Sequence, residues 1–114
     1  MYKTTTERTI AAARRYLEMK GYEILDEMEC DGMPIIVADD EDVCVFAHVS
    51  FDMGKMPGNH FHRSKFEQMA ADYIREHDIM DCEVRADSIS MMVVGPDRAL
   101  LRHTVNWSNS PEAA

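Results

Sequence analysis

Apolar residues recur at helical spacing in two segments of the chain. In residues 9–20, Ile10, Ala13 and Leu17 fall on one face, and Gly21 follows as a helix terminator. A second stripe with the spacing of a helix face runs through residues 66–74 and comprises Phe66, Met69, Ala70, Tyr73 and Ile74. We therefore predict one helix near the N-terminus and another in the middle of the chain, each packing one face on a sheet.

The remaining apolar segments have the pattern of β-strands. The turn pair Asp31-Gly32 separates an extended segment that starts at Tyr22 from residues 34–38, which predicts a hairpin. After an acidic turn at residues 39–42, residues 43–51 are apolar on both alternating faces until the end of the segment, which indicates a central strand. Residues 82–94 and 99–106 predict two further strands, joined by a turn at residues 95–97.

This order of elements, αβββαββ, predicts an α/β fold with a mixed sheet of about five strands flanked by helices. Residues 52–62 have no period and contain glycine and proline, so we expect a long loop there. Residues 1–107 are expected to form a single domain, and residues 108–114 a flexible tail.

The composition argues against a membrane protein, a disulfide framework and a zinc site. The chain has 114 residues, no apolar run approaching the roughly 20 residues of a membrane span and no apolar N-terminal signal segment, so we predict a cytoplasmic protein without membrane contact. Its three cysteines, Cys30, Cys44 and Cys82, lack a CxxC pair, which argues against a disulfide framework or a zinc site. The net charge of -9 repels phosphate, so contact with nucleic acid would need a local basic patch.

Several segments, taken together in their order and spacing, resemble the YraN family of predicted endonucleases. The segments are 13–17, 21–25, Gly32, 45–50, Lys65 with 70–71, 85–87 and 103–106. The family belongs to the restriction-endonuclease-like PD-(D/E)xK superfamily, so the resemblance implies that type of fold. It also implies a nuclease ancestry for the scaffold.

The catalytic positions of the family are changed in this chain. In the family the hairpin reads Gly-Glu-Ile-Asp-Leu-Ile and the central strand reads Phe-Val-Glu-Val-Lys. When the sequences are aligned on Gly32, Met33 and Ile35 take the places of the glutamate and the aspartate of the hairpin. His48 and Ser50 take the places of the glutamate and the lysine of the central strand. Ile10 takes the place of a glutamate in the first helix of the family. Magnesium needs carboxylate oxygens, and phosphodiester hydrolysis uses the ion to activate water. The resemblance therefore implies a scaffold that has lost its metal site, and we expect neither a metal nor another cofactor.

The best remaining candidate for a functional surface is a basic cluster in and after the long loop. Its members, as candidates for nucleic-acid binding, are Lys55, His60, His62, Arg63 and Lys65. Arg14 and Arg15 could extend this patch. The pair His60 and His62 could also hold a metal, although solvated polar residues are the simpler interpretation. Trp107 could close the edge of a core or serve as an exposed stacking surface, and we favour the core.

Three functions fit the sequence. The hypothesis we favour is a non-catalytic nuclease-fold protein that uses the scaffold to bind a ligand that the sequence does not identify. Nucleic acid, bound through the local basic patch, is one candidate for this ligand. The first alternative is a protein-interaction or self-association module, favoured by the acidic charge, the ten methionines and the open strand edges of a small sheet. The second is a metal-dependent nuclease with relocated ligands, drawn from Asp31, Asp39 or His48.

Overall fold

The structure is a computed structural model of the chain, and it describes residues 4–57, 63–79, 82–96 and 98–107. Its elements are α1 (Thr5–Met19), β1 (Glu23–Cys30), β2 (Met33–Asp40), β3 (Val43–Met53), α2 (Arg63–Glu76), β4 (Glu83–Gly95) and β5 (Arg98–Thr104). The predicted order αβββαββ is confirmed. None of the helices within these ranges is long and apolar enough to cross a bilayer.

All the strands belong to one mixed sheet. Its five strands lie in the order β1-β2-β3-β4-β5, so β3 is central and β1 and β5 are the open edges. The pair β3 and β4 is parallel, whereas the other neighbours are antiparallel. A parallel pair needs a long crossover, and α2 provides it between β3 and β4. The predicted mixed α/β sheet is therefore confirmed.

The two helices cover opposite faces of the sheet. Ala13 and Leu17 of α1 pack in one core cluster with Val45, Ala47 and Val49 of β3. On the other face, the members of the predicted α2 stripe pack in a second cluster, which also contains Phe46 and Trp107. Successive residues of a strand point to opposite faces, so the continuous apolar run of β3 supplies both clusters.

Two tight turns set the register of the first three strands. Asp31 and Gly32 have positive φ angles of 51° and 80°, and Glu41 and Asp42 have 49° and 71°. Positive φ at both central residues is the geometry of the two-residue hairpin turn that matches the twist of a sheet. The hairpin predicted at Asp31-Gly32 is confirmed. The predicted acidic turn is shorter than residues 39–42, because β2 continues through Asp40.

The other differences from the sequence prediction concern the ends of elements. The predicted loop over residues 52–62 starts later, because β3 extends to Met53. Trp107 is fully buried beside Phe66, with ring centroids 5.7 Å apart, so it closes a core as favoured. Residues 58–62 of the loop and the predicted tail at residues 108–114 lie outside the described residues.

Candidate functional site

Four of the five positions that align with the catalytic residues of the YraN family share one face of the sheet. Ile35 pairs with His48 across β2 and β3, and Met33 and Ser50 lie two residues further along the same face. This face lies under α2, where His48 is 1% exposed and packs on Phe66 and Trp107 with ring centroids 5.7 Å and 4.5 Å away. The arrangement is an apolar and aromatic packing site.

The fifth position, Ile10, lies elsewhere. It belongs to α1, which covers the opposite face of the sheet through Ala13 and Leu17. The structure therefore does not bring Ile10 next to His48. The alignment to the family places these residues in one site, whereas the described geometry separates the helix position from the strand positions.

Burial controls the charge state of His48. Burial lowers the pKa of His48 from 6.5 to about 4, although the nearby Asp87 carboxylate acts in the opposite direction. The imidazole is therefore neutral at physiological pH, because the apolar surroundings disfavour its charged form.

The acids considered as relocated ligands are not brought together. Asp31 lies in the turn before β2 and Asp39 near the end of β2, roughly 25 Å apart for eight residues of extended chain. Two carboxylates at that separation cannot share an ion. Within the described ranges, no three His, Cys, Asp or Glu side chains are grouped so that they could hold a metal.

Three members of the predicted basic cluster, Lys55, Arg63 and Lys65, lie within the described residues, after the end of β3 and in the first turn of α2. Lys65, in the first turn of α2, donates to Asp31 at 2.6 Å, and this hydrogen bond raises the pKa of the lysine. Lys55 lies 3.7 Å from Asp52, and Arg63 is the first residue of α2. His60 and His62 lie outside the described residues. Because acidic partners offset the charges of Lys55 and Lys65, this cluster is less positive than its sequence indicates.

The two neighbouring arginines of α1 point in different directions. Arg14 lies 3.5 Å from Glu27 of β1, whereas Arg15 lines an open groove on the other side of the helix. Of these two arginines, only Arg15 borders this groove. Successive residues of a helix are about 100° apart around its axis, which explains the divergence.

An open groove of about 910 Å³ lies between α1 and the ends of β3, β4 and β5. Three arginines border it, Arg8 and Arg15 from α1 and Arg98 from β5. Its floor is apolar and includes Met53, Met91, Val93 and Leu101. Arg8 also donates to the Pro96 carbonyl oxygen at 2.8 Å, which ties α1 to the connection between β4 and β5. We call this the arginine groove.

The sequence patterns did not lead us to predict the arginine groove. Arg8 and Arg15 are seven residues apart, which places them on the same face of a helix, so this spacing was a usable signal. Arg98 is remote in sequence and joins them only because β5 forms the edge of the sheet beside β4. No local sequence pattern indicates that Arg98 lies at the same groove as Arg8 and Arg15.

A buried charged network occupies the α1 side of β4. The Asp87 carboxylate is fully buried and accepts a bidentate pair of hydrogen bonds from Arg85 at 2.9 and 3.0 Å. It also accepts from His103 Nε2 at 2.7 Å and from the Asn106 backbone N–H at 2.9 Å. Burial alone would raise the pKa of the Asp87 carboxyl, but these hydrogen bonds hold that pKa below its usual value.

The network extends from Asp87 to the neighbouring elements. Arg85 donates to Asp40 at 3.1 Å and to the Tyr22 hydroxyl at 2.7 Å, which links β4 to β2 and to the start of β1. On the other side, the Tyr16 hydroxyl lies 2.9 Å from His103 Nδ1. A neutral imidazole that accepts from Tyr16 and donates to Asp87 satisfies both contacts.

Close polar contacts connect Tyr16, His103 and Asp87 in series, an order of side chains that is also found in proton relays. Burial, and then the charge of Asp87, raise the pKa of Tyr16, which opposes formation of a phenolate nucleophile. The described contacts instead join α1, β4 and β5 through groups that satisfy one another. We therefore interpret this network as structural support for the sheet and for α1.

The comparisons with known proteins add no family. No protein-family model matches the sequence, and a search of curated proteins finds no match. The resemblance to the YraN family therefore stays a prediction.

Replacing Asp87 with Asn should lower the free energy of unfolding by about 3 kcal/mol, because the substitution leaves Arg85 partly buried without its bidentate partner. Urea denaturation at neutral pH measures this change. The Asp52→Asn variant is the matched control, since it removes an exposed ion pair with Lys55 and should cost less than about 1 kcal/mol. Equal losses in the two variants would show that the buried network contributes no special stability.

His48 should make the stability depend on pH. Its pKa is lowered on folding, so the unfolded chain binds the proton more readily. The neutral, buried imidazole contributes about 3 kcal/mol to the free energy of unfolding. This contribution is fully present above the unfolded pKa of about 6.5 and is lost as the pH falls towards the folded pKa of about 4. Denaturant unfolding of the wild type and of His48→Gln between these pH values measures the difference. An unchanged pH dependence in the variant would contradict the assignment, because the other four histidines, His60, His62, His77 and His103, remain in both proteins.

Proposed function

We propose that this protein is a non-catalytic member of the YraN-like, restriction-endonuclease-like group, and that it binds the phosphate groups of nucleic acid. The arginine groove is the observation that most supports the binding of phosphate groups. Three arginines border one groove in a chain whose net charge is -9. Concentrating positive charge at one place in an acidic protein favours local binding of an anion.

The charges around the groove strengthen this interpretation. Neither Arg15 nor Arg98 forms an ion pair with another residue in the described part of the chain. The acidic turn that contains Glu41 and Asp42 lies at the opposite end of the strands. A phosphate backbone bound in the arginine groove therefore lies far from this acidic turn. At that distance, salt screens most of the repulsion between the phosphates and the carboxylates of the turn.

The non-catalytic part of the proposal is supported by the side chains on the α2 side of the sheet. At the positions aligned with the acids and the lysine of a nuclease, Met33 and Ile35 offer no oxygen ligand, and His48 is buried among aromatic rings. The Ser50 hydroxyl lies 3.4 Å from that of Ser90. Neutral hydroxyls and an imidazole are poor ligands for magnesium, which prefers carboxylates.

Binding of fluorescein-labelled oligonucleotides, followed by anisotropy, tests the proposal. The affinity should fall steeply between about 50 mM and about 200 mM salt. Arg15→Ala and Arg98→Ala should each weaken binding and lower the salt slope by about 0.7 to 0.9. Arg14→Ala is the matched control, because the same charge is removed from the same helix on its β1 side. A double variant at Arg63 and Lys65 measures the contribution of the predicted cluster.

Two outcomes would contradict the proposal. Absence of binding at low salt to both single-stranded and duplex oligonucleotides would remove nucleic acid as the ligand. Nicking of a plasmid in magnesium or manganese, abolished by His48→Ala, would show that the protein is a metal-dependent nuclease.

Self-association is a second candidate function, favoured by the open edge at β5. Leu100 of this strand is 54% exposed and lies beside Met92 of β4. An edge strand with an exposed apolar side chain is a surface on which another chain can pair. A second copy of this protein is the simplest partner for such an edge.

Sedimentation velocity over a range of protein concentrations tests this second candidate. We expect a concentration-dependent shift that Leu100→Lys abolishes, since a charge on an edge strand opposes pairing. Leu25→Lys is the matched control, because Leu25 is 48% exposed on the other edge strand, β1. A protein that stays monomeric at all concentrations would remove self-association.

A further inference from the structure

We infer that the arginine groove binds single-stranded nucleic acid in preference to a duplex. This inference rests on the proposed function and adds the class of nucleic acid. It depends on the combination of arginines on the rim with an apolar floor. Arginines alone would fit either form, because both present phosphates.

The apolar floor distinguishes the two forms of nucleic acid. Met53 lines the groove and is 62% exposed, and Val93 and Leu101 are partly buried beside it. A duplex keeps the faces of its bases stacked inside, so it would leave this floor uncovered. A single strand exposes the faces of its unstacked bases, so a base can contact the apolar floor while the phosphates reach cations on the rim. Methionine sulfur makes favourable contacts with aromatic rings, which suits a base at Met53.

The spacing of the arginines fits an extended strand. Arg8 and Arg15 are seven residues apart on α1, which corresponds to about 10 Å along the helix axis. Arg98 lies on the facing side of the groove, at the start of β5. The guanidinium groups of Arg15 and Arg98, on the two sides of the groove, can contact different phosphates of the same strand. The hydrogen bond from Arg8 to the Pro96 carbonyl holds one end of α1 against the sheet.

This groove is distinct from the nuclease-like position. It lies on the α1 side of the sheet, whereas Met33, Ile35 and His48 face α2. The two surfaces are separated by the sheet itself. A change in the arginine groove can therefore be made without disturbing the packing around His48.

Anisotropy titrations with a labelled oligothymidylate and with a duplex of equal length test the inference. We expect the single strand to bind at least about fivefold more tightly at low salt. Met53→Ser should weaken binding of the single strand by about threefold to tenfold and leave its salt slope unchanged, because the variant removes an apolar contact and no charge. Arg15→Ala should lower the slope by about 0.7 for the single strand.

Matched controls separate the groove from general effects. Met19→Ser removes an apolar side chain that is 88% exposed at the end of α1, and Arg14→Ala removes a charge beside Arg15. Neither should change the affinity for the single strand. Circular dichroism and thermal unfolding of each variant show whether the fold is retained.

The outcomes distinguish the inference from the proposed function. Equal binding of both forms, or tighter binding of the duplex, would overturn the inference and leave nucleic-acid binding in place. Tight binding of the single strand that is unaffected by Arg15→Ala and Met53→Ser would place the ligand elsewhere and also overturn the inference. Failure of both forms to bind would overturn the inference and the proposed function together.

Discussion

The buried carboxylate of Asp87 is the constraint around which the α1 side of the molecule is organised. A charge without solvent is costly unless it is paired and hydrogen-bonded. Asp87 meets this condition only when Arg85, His103 and the backbone of Asn106 are all in place. These partners come from β4, from β5 and from the residues that follow β5. The interactions of the network with Tyr16 and Tyr22 then connect the sheet to α1 and to the start of β1.

The network also has a consequence for the arginine groove. The groove is formed by residues 5–15 of α1 and by the ends of β3, β4 and β5, so its shape depends on how α1 is placed against the sheet. Contacts of Tyr16 hold the other half of the helix, while Arg8 holds the N-terminal end through Pro96. A surface for binding is more specific when the elements that form it are held rigidly.

The two sides of the central strand differ in chemistry. On the α2 side, β3 contributes Phe46 and His48 to a packed aromatic cluster. On the α1 side, the same strand contributes small apolar residues, and positive charge gathers at the rim of the groove. Under the proposed function, the sheet supports a binding surface on its α1 side. On its α2 side, His48 and Ile35, which align with catalytic residues of the YraN family, are buried in the core. Lys55 and Lys65 form ion pairs with neighbouring acids, whereas Arg15 and Arg98 of the groove form none with the residues that the structure describes.

The sequence by itself determined the order of elements, the central position of β3, the Asp31-Gly32 hairpin and the apolar face of α2. These features depend on local periodicity and turn chemistry, which are readable over short stretches of chain. The tertiary structure decided the partners of charged residues: Lys65 with Asp31, Arg85 with Asp87 and Asp40, and Arg8 and Arg15 near Arg98. It also placed Ile10 on the face opposite His48. A charged side chain has no periodic signature for its partner, because that partner is set by which strands pair and which face each helix covers.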